Sequence, residues 1–458
     1  MSVSFLPRWE TKTDLPAVID LFSGCGGLSF GFLSAGFPVK AGLDVSEAAV
    51  QTASYNLSWR HGESGGHFCG DITVATPEMF SGFIGPEGCI VIGGPPCQAY
   101  SQIGKGKLRS LGEDRYHLND ERGQLYRHFL RMAIELDARA VVMENVPEAI
   151  NYGATNVPET VCKILEKNGY SAIWTILNAA DYGVPQTRER LFVLAIKNSE
   201  GHAPAFPLPT HRSIDGSIGV YRQRFNSFSK FPHFVFPPES NGELKPWVTV
   251  GEALSDLPVL FPSPNSRYRL YELNVLLKYA SPPKNEYQKL MREWGGKTGD
   301  FVSGHGYRNT PRDFRIFERM EHDDNYPVAV KIAEELLEEA CAIEGIDPAE
   351  DPEAYRKLRR KIVPPYDPGK FQDKWKKLHP DKPSHTLVAH LGVDTYSHIH
   401  PWEPRGISVR EAARLQSFPD SFLFQCNMGE AFKQIGNAVP PLLSHAIATK
   451  LAEIMNGG

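Results

Sequence analysis

A cysteine on a stiff turn is the first residue of this chain suited to covalent chemistry. Gly93-Gly94-Pro95-Pro96-Cys97-Gln98 follows directly on the apolar run Cys89-Ile90-Val91-Ile92. Cys97 therefore leaves the carboxyl end of a strand, where open α/β sheets place their active sites, and it is a candidate nucleophile. Free cysteine is otherwise among the most buried residue types, and that reading is kept for Cys69, Cys89, Cys162, Cys341 and Cys426. A carboxyl follows a second such run: Glu144-Asn145-Val146 comes after Ala138-Arg139-Ala140-Val141-Val142-Met143. Its apolar approach predicts a low-polarity site that favours the protonated, hydrogen-bond-donating form. Gln186, Arg188 and Arg190 alternate along an extended segment and so share one face, where two guanidiniums and an amide suit an anion or a base-edge carbonyl. Lastly, Phe22-Ser23-Gly24-Cys25-Gly26-Gly27 is a glycine turn after a first strand, and Asp44 ends the next strand twenty residues after Gly24. That pattern lets backbone approach a nucleoside-bearing cofactor and places an acid near its ribose.

The elements that position these residues follow from periodicity. Strands fit 17–22, 38–45, 88–94, 138–146 and 190–196, with helices over 123–136 and 158–169 and after the glycine turn. Strand alternating with helix predicts an α/β fold with a mostly parallel sheet covered on both faces. The rhythm stops near residue 197, and ten prolines between 204 and 264 disfavour regular helix there. Near the C-terminus, helical spacing returns in 405–422 and in 429–443, the latter broken at Gly436-Asn437 before two prolines.

Composition sets the outer bounds. The chain has 458 residues, 49 Lys+Arg against 54 Asp+Glu, a net charge of −5, and 41% apolar and 22% charged residues. These values exclude a long disordered or fibrous chain and suit about two domains. Apolar runs fall short of a membrane span, the N-terminus lacks a secretory core, and seven scattered cysteines without a CxxC pair suit a reduced cytoplasmic protein with no structural metal. The acidic balance argues against a nucleic-acid partner only as an average. Residues 321–353 hold twelve acids and one base, whereas 355–382 hold ten bases and three acids. A polyanion would be met by the second block, with the first pointing away. Within the acidic block, Val328, Ile332, Leu336 and Ile343 fit one apolar helical face.

In their order, these blocks resemble the C5-cytosine DNA methyltransferase family. The matching pieces are DLFSGCGGLS, the acid after the second strand, GDIT at 70–73, GGPPCQAYS, RGQLY, ENV, QTRER, a long variable segment, then REAARLQSFPDSF and QIGNAVPP. The resemblance implies a Rossmann-like methyltransferase fold that uses S-adenosyl-L-methionine, with a smaller, irregular target recognition domain. It divides the chain into a first catalytic part (1–197), a recognition segment (198–400) and a completing C-terminal part (401–458). It implies Cys97 as the nucleophile at cytosine C6, Glu144 at N3 and the exocyclic amine, and Arg190 with Arg188 at O2. Cofactor residues carry over as Phe22, Gly24, Gly26, Asp44, Asp71, Ile72, Leu125 and Asn437, with Val45 where the family often has a bulky side chain against adenine. The target atom lies inside the DNA stack, so base flipping is implied. The loop 98–123 then reads as a phosphate-contacting lid, with Gln98, Ser101 and Lys105 at the DNA, joined by Gln186, Arg312 and Arg315. The implied setting is a monomeric cytoplasmic enzyme on double-stranded DNA, in a prokaryote or phage-infected host, paired with a cognate restriction endonuclease. A tRNA methyltransferase and a catalytically inactive DNA-binding homologue are the competing readings. A short middle region and a Cys-Phe-Thr signature, both absent here, would favour the first, and the intact Cys97, Glu144 and Arg190 speak against the second.

Overall fold

Five consecutive buried residues, Ala17–Leu21, form strand β1. Successive strand residues point to opposite faces, so burial of all five means that both faces of the sheet are covered. This computed structural model describes residues 11–12, 14–96, 124–151, 155–214, 224–261, 272–369, 372, 374–391 and 397–457. Around β1 lie β2 (Val39–Asp44), β3 (Gly66–Cys69), β4 (Cys89–Gly93), β5 (Ala140–Asn145), β6 (Tyr170–Asn178) and β8 (Glu189–Lys197), with the two-residue strand β7 (Gln186–Thr187) outside the sheet. The order is β3-β2-β1-β4-β5-β8-β6. Neighbours are parallel as far as β5, while β8 runs antiparallel to both β5 and β6. The sheet is thus mostly parallel, as its alternating pattern predicts, with a single reversed strand.

Helix α1 (Gly27–Ser34) follows β1, α2 (Glu47–Leu57) follows β2, α3 (Leu125–Glu135) leads into β5 and α4 (Val157–Lys167) leads into β6. Ser46 and Asn156 cap α2 and α4, each accepting a backbone N–H three residues on. Helix α1 packs on the C-terminal helix Pro441–Met455. A Cβ at Gly31 would stand 2.3 Å from Ser444 Cβ, and Ser444 Oγ donates to the Leu28 carbonyl at 2.5 Å. Close backbone approach explains the glycine.

The chain divides into two compact units. The first comprises Met1–Val248, Gln416–Phe418 and Asn437–Gly458, and the second comprises Thr249–Leu415 and Pro419–Gly436. These bounds cut the chain elsewhere than the functional ranges 1–197, 198–400 and 401–458. Residues beyond 197 stay with the sheet because Phe225 and Phe234 join its core around Trp174, whose ring centroid lies 4.8 Å from that of Phe234. The second unit begins at a capping box, in which Thr249 and Glu252 exchange side-chain and backbone hydrogen bonds.

The second unit has its own core. Helices α5 (Glu286–Glu293), α6 (Pro311–Arg319), α7 (Tyr326–Glu344), α8 (Pro352–Ile362) and α9 (Val409–Leu415) lie in it, with Ile316, Phe317, Tyr326, Ala333, Leu337 and Trp375 nearly inaccessible. Helix α7 buries Ile332 and Leu336 as its spacing predicts, but Ile343 is 85% exposed, because the buried stripe ends at Cys341. Around α9, charges are buried in sets. Arg414 binds Asp256 (2.8 Å) and Asp420 (2.6 Å), and Arg405 binds Glu411 (2.7 Å) and Glu403 (3.0 Å). His400 stands 3.7 Å from Glu411 and 3.8 Å from Glu403, so Arg405 already supplies the cation in this group. Arg405 holds Glu411 at about 2 against a burial effect that alone would raise it. Two cysteines depart from the buried reading: Cys69 is exposed, because β3 is the sheet's edge and its last residue faces outward, and Cys426 is partly exposed. Among the described residues, no helix is long and apolar enough to cross a membrane.

Candidate active site

The glycine turn is built on three residues with left-handed backbone, Phe22 (φ 67°), Gly24 (φ 52°) and Gly26 (φ 90°). Gly24 has open space where a Cβ would stand, whereas one at Gly26 would meet Leu57 Cδ1 at 2.9 Å. Asp44, at the end of β2, accepts the Gly24 N–H through Oδ2 and the Ser46 N–H through Oδ1, both at 2.8 Å. The acid therefore pins the turn in addition to facing the cradle. Beside it, Val45 is 70% exposed and offers an apolar surface. Asp71 is exposed just after β3 and accepts the Thr73 N–H at 2.9 Å. The Ile72 side chain is buried in the core, so only its backbone faces outward chemistry. Leu125, at the start of α3, is half-buried, and Asn437 is exposed at the end of helix Met428–Asn437. An open, glycine-lined turn with an apolar side chain and two carboxyls at the strand ends fits a nucleoside-bearing cofactor.

Beneath the turn, Asp20, Gly42 and His67 stand side by side on three adjacent strands. The missing side chain of Gly42 leaves room for the His67 ring, since a Cβ there would lie 2.6 Å from its Cδ2. Asp20 accepts the Ser29 hydroxyl at 2.6 Å, and burial pushes its carboxyl up to about 7.

At the end of β4 the chain is held tightly through Gly93, Gly94 and Pro95. A Cβ at Gly93 would stand 1.9 Å from the Leu21 carbonyl oxygen, and one at Gly94 would stand 2.9 Å from Glu144 Oε2. Asn145 Nδ2 donates to the Pro95 carbonyl at 3.3 Å. The turn leading to Cys97 is thus seated on the Glu144-Asn145 strand end. Cys97, Gln98, Ser101 and Lys105 lie outside the described residues.

Glu144 is buried and forms an ion pair with Arg190, Oε1 to Nε at 2.9 Å. The register explains this contact: Glu144 faces Phe192 of β8, which places Arg190 at the diagonal position, within reach of a long side chain. Burial raises the Glu144 carboxyl above the ordinary carboxylate range, with Arg190 and then Arg188 pulling it back. Arg188 is fully buried and donates Nη2 to the Ala438 carbonyl at 3.2 Å. Gln186, also fully buried, donates to Gln416 Oε1 at 2.5 Å, and Gln416 in turn donates to Ala438 at 2.6 Å. Sequence reasoning grouped Gln186, Arg188 and Arg190 but missed Gln416 as the partner of Gln186 and Asn145 as the support of the Pro95 carbonyl. Nothing in the local sequence Leu415-Gln416-Ser417-Phe418 marks Gln416 as the partner of a residue 230 positions away. Arg312 and Arg315 lie on α6 in the second unit, the former beside Asp313, Nε to Oδ1 at 2.5 Å, and the latter exposed.

A family model described as C-5 cytosine-specific DNA methylase matches residues 17–453. The chain is 53% identical to M.OihORF3336P of Oceanobacillus iheyensis, which carries the name of a type II methyltransferase, over 98% of each chain. It is 32% identical to the type II methyltransferase M.AgeI of Thalassovita gelatinovora, over 94% of this chain and 97% of that one. A crystal structure of a prophage-encoded E. coli protein, described as a DNA modification methyltransferase, shares the fold with a TM-score of 0.63 at 23% identity, covering 96% of this chain and 99% of that chain.

Proposed function

We propose, for a chain that belongs to the C-5 cytosine-specific DNA methylase family, that it methylates C5 of a flipped cytosine within a specific duplex sequence through a covalent bond from Cys97 to C6. The observation that carries this reading is a buried Glu144 carboxyl paired with Arg190 and seated against Gly94 of the turn that delivers the thiol. Phe22, Gly24 and Gly26 of the turn, with Asp44, Asp71, Ile72, Leu125 and Asn437, would hold S-adenosyl-L-methionine, which would supply to C5 a methyl group on a sulfonium that leaves as a neutral thioether. Cytosine C5 is a weak nucleophile. Addition of the Cys97 thiolate at C6 gives C5 enamine character, and Glu144 offsets the charge that develops by hydrogen bonding at N3 and the exocyclic amine. Arg190 orients Glu144 and, with Arg188, favours negative charge at O2. Loss of the C5 proton from the methylated adduct then expels the thiolate and restores the ring.

This reading extends to a cytoplasmic monomer whose partner activity is a restriction endonuclease with the same recognition sequence. Gln98, Ser101, Lys105, Gln186, Arg312 and Arg315 would contact the DNA. The deciding test uses labelled methyl transfer to duplex DNA and to total tRNA, followed by bisulfite sequencing of DNA from expressing cells. Label in duplex DNA at one sequence context is expected, and label in tRNA alone would overturn the reading. Duplex carrying 5-fluorocytosine at the target should trap a covalent adduct with the wild type and none with Cys97→Ser.

A further inference from the structure

The second unit contains a cavity of about 620 Å³ whose lining includes Arg312 from α6, Glu334 from α7, Arg356, Arg359 and Arg360 from α8, and Tyr366 in the proline-rich segment that follows. Arg359 is held by Glu334, Nη1 to Oε2 at 2.7 Å. Arg356 and Arg360 differ. Arg356 donates Nε to the Pro352 carbonyl at 3.2 Å, both are exposed, and among the described residues neither is in an ion pair. Basic residues in a helix's last turn complement its dipole, which accounts for Arg359, Arg360 and Lys361. That account does not reach Arg356, one turn earlier. Arg356 and Arg360 stand at i and i+4, where like charges destabilise a helix, and both line one cavity with Arg312 from another helix.

A recess that concentrates guanidiniums suits a convex anion. The phosphate ridge of duplex DNA is convex, whereas base edges lie on the floor of a groove and are reached by elements that protrude. Tyr366, 45% exposed, and its neighbouring prolines add an apolar wall beside the charges, suited to a deoxyribose. We propose that this cavity is a phosphodiester subsite, in which Arg356, Arg360 and Arg312 hold the backbone of the DNA substrate without reading its sequence. The proposal rests on the DNA-methylating function above and assigns this recess a positioning role.

The test is equilibrium binding and methylation by the full chain carrying Arg356→Ala, Arg360→Ala or both, with thermal melts to establish folding. Affinity for cognate and unrelated duplexes should fall together, and the slope of log affinity against log salt should drop by about one per arginine. The loss should fall on KM for DNA rather than on kcat, and Arg356→Lys should retain most of the wild-type slope. An unchanged slope in the folded double variant would overturn the subsite, as would a loss confined to the cognate sequence, which would mean base reading. Inorganic phosphate or a free nucleotide that binds in an arginine-dependent way while the variants' DNA affinity stays at wild type would also overturn it. A wild type that methylates no DNA would instead sink the enzymatic reading itself.

Discussion

Glu144 is pushed up by burial and pulled down by two arginines, so a small chemical change there should have a large effect. Glu144→Gln keeps the volume but removes the acidic proton and the ion pair with Arg190. Methyl transfer to duplex DNA should fall by about 10²–10³ while DNA binding persists, and single-turnover rates beside a binding curve check it. Undiminished turnover would remove Glu144 from the chemistry. Glycines give a second, purely steric prediction. Gly93→Ala places a methyl 1.9 Å from the Leu21 carbonyl and should cost about 3 kcal/mol or more in a denaturant melt, because backbone cannot give way as a side chain can. Gly82→Ala, with nothing within 4 Å of its Cβ, should be neutral or mildly stabilising. At this scale the placement of these residues at strand ends was legible because Glu144 and the Gly-Pro-Pro turn each end an apolar run. The supports were not: Gln416 reaches Gln186 across 230 residues of sequence, and nothing local marks such a pair.

Among the elements, the sheet was legible wherever a strand is buried on both faces and reads as a continuous apolar run. It was less so at the edges. Strand β3 is four residues long beside a glycine-rich loop, and β6 alternates burial over its first residues, Tyr170 to Trp174, so neither stands out. Helix α9 shows another limit: its helical spacing was legible, but the burial of Arg410, Glu411 and Arg414, as deep as that of its leucine, was not. Periodicity cannot register a charge whose partner is remote, and Asp256 lies 158 residues from Arg414. Removing one member of such a set leaves the others buried without compensation, so Arg414→Met should destabilise the protein by about 3–5 kcal/mol. The triple change Arg414→Met, Asp256→Asn, Asp420→Asn should recover part of that loss. Denaturant midpoints of the two variants decide, and equal midpoints would mean that the carboxylates do not depend on Arg414.

For the whole molecule, the sequence reads as a sheet domain interrupted near residue 197, while the compact unit that carries the sheet runs to Val248 and takes in Gln416–Phe418 and Asn437–Gly458. The aromatic cluster at Phe225 and Phe234 holds residues beyond 197 in the first unit. Acid sensitivity is also a whole-chain property. Burial pushes His67, His305, His385 and His400 down to about 4, and holds His398 well below its ordinary value. Such neutral histidines contribute stability above their unfolded value near 6.5, and that contribution is lost as pH falls toward 4. Asp20 acts in the opposite sense: raised to about 7, it contributes below its ordinary value near 4, and that contribution is lost as pH rises through 7. The melting midpoint should therefore drop between pH 7 and pH 5, and Asp20→Asn should raise it more at pH 8 than at pH 5. A flat profile over the acid range would refute the histidine account. The pairing of α1 with the helix Pro441–Met455 also has a temporal side. A ribosome makes the whole second unit after α1 and before the helix that covers its glycine face, so the sheet domain must wait, partly bare, until Pro441–Met455 emerges. Methylation would then begin only with finished molecules, and a gene split inside the second unit would turn that wait into a meeting of two chains.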